Sequence, residues 1–144
     1  MQIKPSQKRI KKRINMNQNK FPLIVLKDSF GICKLENKSE IPLWVYNSNL
    51  FSITGTSEEL SIICQENEIP ASVPAEKNWM CLKVEGPLNF GLIGVIAEIS
   101  RILANQKIGI FVLSTYNTDY IFVKENELEN AVKALLEADY IVKK

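Results

Sequence analysis

Histidine is absent from this 144-residue sequence. Its absence removes the usual general base, the usual partner that activates a nucleophile and the commonest metal ligand. A phosphate-binding glycine motif is also missing, and no base stands near Ser114 in the sequence to activate its hydroxyl. The sequence therefore predicts no catalytic residues, no metal site and no cofactor, and it favours a protein that is not an enzyme.

Cysteine is scarce, and long apolar runs are lacking. The three cysteines, Cys33, Cys64 and Cys81, form no Cys-x-x-Cys pair and lie among apolar neighbours, which favours buried thiols in a reducing compartment. No apolar run approaches the roughly 20 residues of a membrane-spanning helix, and no apolar segment follows the charged N-terminus. We therefore expect a cytoplasmic protein with neither a membrane span nor a secretory signal.

Charge is distributed unevenly along the chain. With 46% apolar and 24% charged residues, the composition is that of a globular protein that buries one core, or two small units sharing a sheet. Residues 1–20, however, form a basic arm with no acid and few apolar residues, which predicts disorder. A solvated tail is favoured over contact with nucleic acid or an anionic surface, and Met16 is a candidate alternative start.

Residues 21–70 predict a first, incomplete α+β unit. Apolar runs over 21–27 and 30–35 indicate a β-hairpin around Asp28 and Ser29. Residues 41–46 suit an edge strand or a short helical turn, and residues 51–54 a brief strand. Thr56 and Glu59 have the spacing of a capping box, which predicts a helix over residues 57–67. The proline-containing residues 71–78 are then a connector.

Residues 79–144 predict a second, complete unit. Met80, Leu82 and Val84 alternate with polar residues as in a half-buried strand, and helical spacing of apolar residues starts near Phe90. Strands over 108–113 and 120–123, a helix from Leu128 and a closing strand at 141–142 complete the order βαββαβ. This order indicates an α+β fold of two ferredoxin-like units, with antiparallel strands and helices on one face.

Two segments of the second unit carry a resemblance to a known family. The loop EGPLNF at 85–90, its spacing to Gly94 and the run STYNTDYIFV at 114–123 resemble the second unit of the tandem ACT-domain proteins related to the cytosolic arginine sensors. The resemblance covers residues 79–142 and is weak over 21–70. It implies the ferredoxin-like fold and the binding of a small molecule, mostly an amino acid, at an interface between ACT units.

The resemblance also directs attention to particular residues. It implies that the loop after the first strand contacts the ligand, where glycines permit close backbone approach and N–H groups of a helix start over residues 89–93 attract a carboxylate. It further implies that Asp119 faces the ligand, although a turn aspartate bonding its own backbone fits the position too. The candidate ligand-binding residues are Gly86, Asn89, Phe90, Gly91, Leu92, Gly94, Ser114, Thr115, Thr118 and Asp119.

The function that follows is a non-enzymatic regulatory or sensor domain that binds an amino acid. Gly91 and Leu92 stand where the arginine sensors have acidic residues, so a smaller or less cationic amino acid than arginine is expected. The alternative is a structural protein–protein interaction module without a ligand. Incomplete units leave sheet edges that favour a homodimer, and the output requires an unidentified protein partner; neither nucleic acid nor a membrane is expected as a partner.

Overall fold

A computed structural model describes residues 20–144, so the predicted basic arm lies, apart from Lys20, outside the described residues. Two α-helices, α1 (Val95–Asn105) and α2 (Leu128–Glu137), and three short 3-10 turns, Leu43–Asn47, Glu66–Glu68 and Glu125–Glu127, accompany a single sheet in this part of the chain. Its strands are β1 (Leu23–Glu36), β2 (Ser52–Gly55), β3 (Glu59–Gln65), β4 (Ala75–Val84), β5 (Ile110–Ser114), β6 (Asp119–Lys124) and β7 (Val142–Lys143).

The strand order is β2-β3-β1-β4-β6-β5, and each neighbouring pair is antiparallel. On its other side, the start of β1 pairs in parallel with β7 through Leu23 and Ile24. A strand from the first predicted unit therefore lies between the first and last strands of the second. The predicted α+β class with antiparallel strands is confirmed, and the two units are joined through a shared sheet.

The predicted hairpin around Asp28 is wrong, because residues 23–36 form one continuous strand. The pairing of β1 with β4 shifts register between Val25 and Ser29 and again between Phe30 and Ile32. Such irregularities accommodate polar residues inside a strand without reversing the chain. The polar interruption that suggested a turn is thus a bulged section of one long strand.

The predicted helix over residues 57–67 is also wrong, because residues 59–65 form β3. Leu60, Ile62 and Cys64 are buried alternately with partly exposed neighbours, which is the period of a strand. The Thr56 hydroxyl oxygen accepts hydrogen bonds from the N–H groups of Glu58 and Glu59, both at 3.1 Å. The supposed capping box therefore forms the tight turn between β2 and β3.

Two other predicted elements of the first unit are found in the structure. The strand predicted at 51–54 appears as β2, and residues 43–47 form a helical turn, one of the two alternatives for that segment. This turn places Val45, fully buried, over a small core on the first part of the sheet. That core consists of Cys33, Val45, Leu60, Ile62, Cys64 and Ile69.

The larger core lies between the two helices and the sheet. Alternate residues of β4 and β6 point to the helices, and α1 contributes Ile99, Ile102 and Leu103 to the same cluster. Helix α1 begins at Val95, about a turn later than the pattern from Phe90 predicted. The rest of this core includes Leu82, Val84, Ile121, Val123, Ala131 and Leu135.

The three thiols are free and buried, as predicted. Burial raises the pKa of Cys33 and Cys81, and burial together with the nearby Cys33 and Glu68 raises the pKa of Cys64 to about 12. These thiols are therefore protonated core residues at neutral pH. Between residues 20 and 144, no helix has the length and apolar character needed to cross a membrane.

Candidate functional site

The loop that leaves β4 is fastened to the turn between β5 and β6. The Thr118 hydroxyl donates a hydrogen bond to the Val84 carbonyl at 2.6 Å, and the Leu88 N–H donates one to the Asn117 carbonyl at 2.7 Å. At Gly86 an added Cβ would lie 2.9 Å from the Asn117 carbonyl oxygen, so only glycine fits. These contacts hold the start of α1 next to the β5–β6 hairpin.

The loop itself uses some of the groups that the sequence suggested for a ligand. The Gly91 N–H donates to the Asn89 side-chain oxygen at 2.7 Å, and the Leu92 N–H donates to the Asn89 carbonyl at 3.0 Å. The helix start predicted over residues 89–93 is therefore wrong. This segment is a turn in which Asn89 accepts the hydrogen bonds of the Gly91 and Leu92 N–H groups.

The true start of α1 presents a different set of donors. Gly94 occupies the N-cap position with φ of +89° and has no side chain with which to cap the helix. The first backbone N–H groups of an α-helix have no partner within the helix. The groups of residues 95–97 thus form the anion-attracting end of α1.

Asp119 lies at the first position of β6, directly opposite Ser114 at the end of β5. Its side chain is on the face that carries Ile121 and Val123, since strand residues alternate, and that face packs against the helices. The Ser114 hydroxyl donates to Asp119 Oδ1 at 2.6 Å, while Oδ2 makes no hydrogen bond to the described residues. One carboxylate oxygen is thus fixed in place and the other is available to a ligand.

A cavity of about 410 Å³ lies between the start of α1 and the β5–β6 hairpin, which is within the usual size range of small-molecule sites. Eight of the ten candidate residues line it. Gly86 and Gly91 do not line it; their contacts shape the loop between β4 and α1. The eight are Asn89, Phe90, Leu92, Gly94, Ser114, Thr115, Thr118 and Asp119.

The sequence missed several lining residues. Val112 lies two residues before Ser114 and therefore on the same face of β5. This spacing could have extended the predicted site from the turn onto the strand. Tyr116 lies in the turn between β5 and β6, where its ring contacts that of Phe90 edge-on at 5.2 Å, and both rings are largely exposed. The remaining missed residues are Leu88, Val95, Ile96, Ala97 and Asn117.

The chemistry available in the cavity is binding chemistry. Among the described residues that line it, Asp119 is the only one with a charged side chain. Within residues 20–144, no group of three or more His, Cys, Asp or Glu residues is arranged to hold a metal ion. The cavity therefore offers one carboxylate, one helix start and apolar walls.

Comparison with known proteins decides the family. The ACT-domain model matches residues 75–137, and a second model, of an N-terminal domain, matches residues 28–72. The crystal structure of protein Atu0741 from Agobacterium tumefaciens is 35% identical with a TM-score of 0.80, over 85% of this chain and 92% of that one. Residues 75–137 of this chain form an ACT domain. The predicted family relationship is confirmed.

Relatives of this ACT-domain chain include the bovine cytosolic arginine sensor for mTORC1 subunit 1, 30% identical over 96 residues, which are 59% of this chain and 29% of the sensor. The human protein CASTOR3P is 35% identical over 91 residues, 54% of this chain and 56% of that protein. The chain thus matches only about half or less of these relatives' length.

More distant solved structures share the fold alone. The regulatory subunit of aspartate kinase from Thermus thermophilus has a TM-score of 0.53 at 10% identity, over 77% of this chain and 93% of that one.

The contact between Thr118 and Val84 supports a first prediction. Thr118→Val keeps the shape of the side chain but leaves the Val84 carbonyl without its buried donor, so the free energy of unfolding falls by about 1 to 3 kcal/mol. Thr118→Ser retains the hydroxyl and is the matched control. Urea denaturation of both variants measures the difference, and equal stabilities would show that the hydrogen bond does not hold the loop.

Proposed function

We propose that this ACT-domain chain is a non-enzymatic regulatory domain that binds a free amino acid in the cavity between the start of α1 and the β5–β6 hairpin. The observation that carries the proposal is the composition of the cavity lining. Asp119 and the first turn of α1 contribute to one cavity, and together they complement the two charges of an amino acid.

Each end of an amino acid has a suitable partner here. The α-carboxylate suits the N–H groups of residues 95–97, where the helix dipole adds to their attraction. The α-ammonium group suits Asp119, whose orientation is fixed by the bond from Ser114. Because the Ser114 hydroxyl already fixes one carboxylate oxygen of Asp119, the Asp119 side chain loses little conformational entropy when a ligand binds.

The family relationship supports the same proposal. ACT domains are typically amino-acid-binding regulatory domains, and the bovine relative is named for sensing arginine. In this proposal the chain works in the cytoplasm, which suits its three free, buried thiols. The bound state is passed on through a protein partner, and the proposal includes neither nucleic acid nor a membrane.

A second copy of the chain is the proposed cover of the cavity. Strand β5 is at the end of the sheet and, within residues 20–144, pairs only with β6, so its outer edge is open for pairing with a second copy. Phe90 and Tyr116 line the cavity and are 76% and 82% exposed. A homodimer through this edge would bury these apolar side chains and enclose the ligand.

Calorimetry on an Asp119→Asn variant tests the site. Removing the charge weakens the charge-assisted bond to the ammonium group, so binding of the amino acid falls by roughly ten- to a hundredfold while stability is retained. Asp139→Asn, at an exposed aspartate outside the cavity, is the control. Equal affinities in all three proteins would return Asp119 to the role of a turn residue.

Sedimentation tests the dimer. At micromolar concentration the protein should have twice the mass of one chain, and Val112→Lys at the β5 edge should dissociate it because lysine opposes pairing of edge strands. Thr54→Lys places the same charge on β2, the opposite edge strand, and should leave the dimer intact. A monomeric wild-type protein, or dissociation by Thr54→Lys alone, would contradict the proposed arrangement.

A further inference from the structure

We propose that the ligand is a neutral amino acid with an aliphatic side chain, an inference that rests on the proposed function and narrows it. Within residues 20–144, the cavity lining contains a single acid, Asp119, and no basic side chain. An amino acid with an uncharged side chain carries one positive and one negative group. These match the one carboxylate and the one helix start of the cavity.

Charged side chains lack partners in this cavity. A lysine or arginine ligand would bring a second positive charge with no second acid to pair with, and a glutamate ligand would bring a second negative charge with no base. An unpaired charge moved out of water is disfavoured.

The walls of the cavity suit an apolar side chain. Leu88, Leu92, Ile96 and Val112 line it and are only partly buried by the protein itself. Burying an aliphatic side chain against such a surface raises affinity by roughly ten- to a hundredfold. This gain is larger than that from a cation above an exposed aromatic ring such as Phe90 or Tyr116, which is about two- to fivefold. The balance favours an aliphatic ligand over a cationic one.

Norleucine and lysine provide a direct comparison, because they differ only by the terminal amino group. Calorimetry on the full chain should show norleucine binding at least tenfold more tightly than lysine. Leu92→Glu adds a second acid to the wall, away from the β5 edge, and should reverse that preference. Equal or tighter binding of lysine or arginine to the wild-type protein would overturn this inference and leave the proposed function standing.

A parallel thermal-shift screen with the twenty common amino acids separates the two proposals. A ligand at 100 times its dissociation constant stabilises the folded state by an amount that such a screen readily detects. We expect the largest shifts with valine, leucine, isoleucine and methionine. If none of the twenty amino acids, nor norleucine, shifts the melting temperature, the proposed function itself fails and this inference fails with it.

Discussion

The pairing of β1 with three other strands is the constraint on which the rest of the described structure depends. Along its 14 residues, β1 pairs with β4 on one side; on the other side it pairs first with β7, at Leu23 and Ile24, and then with β3, from Phe30 onwards. Residues 20–74 therefore have no separate sheet of their own. The small core of this part and the larger core under the helices both pack against one sheet. This shared sheet explains how residues 23–68 fold without an α-helix.

This shared sheet also determines where the cavity forms. Because β4 is held between β1 and β6, its end at Val84 has a fixed position next to the β5–β6 turn. The bond from Thr118 to Val84 and the close approach at Gly86 then bring the start of α1 to the same place. The two charge-complementary parts of the cavity, the helix start and Asp119, are thus positioned by strand pairing and by the contacts of Thr118 and Gly86, and not by contact with each other.

The strands and helices of residues 79–144 could be predicted from the sequence better than those of residues 21–70. In β4 to β7 the alternation and the helical spacing agree, so the order βαββαβ and the family relationship could be predicted. At residues 57–67, Leu60, Ile63 and Cys64 fit a helical spacing while Leu60, Ile62 and Cys64 fit a strand. The pairing with β1 and β2 decides between them, and that pairing is non-local.

In the candidate site, too, the residues that come together through non-local contacts could not be predicted from the sequence. Asp119 and Ser114 could be found from one segment, because two positions around a tight turn face each other across a hairpin. The donors at residues 95–97 could not, because the helix start depends on a turn in which Asn89 binds the Gly91 N–H, an interaction that spacing alone does not reveal. Val112 and Ile96 come together only through the packing of α1 on the sheet, and no local pattern contains that information.

The central claim is that an amino acid occupies this particular cavity, and an NMR titration with the amino acid that binds most tightly tests it directly. Backbone amide signals of residues 95–97 and 114–119 should shift on saturation, while those of the groove beside Cys33 and Pro74, at the far part of the sheet, should stay in place. Shifts confined to that groove, or an unchanged spectrum with every amino acid, would contradict the account.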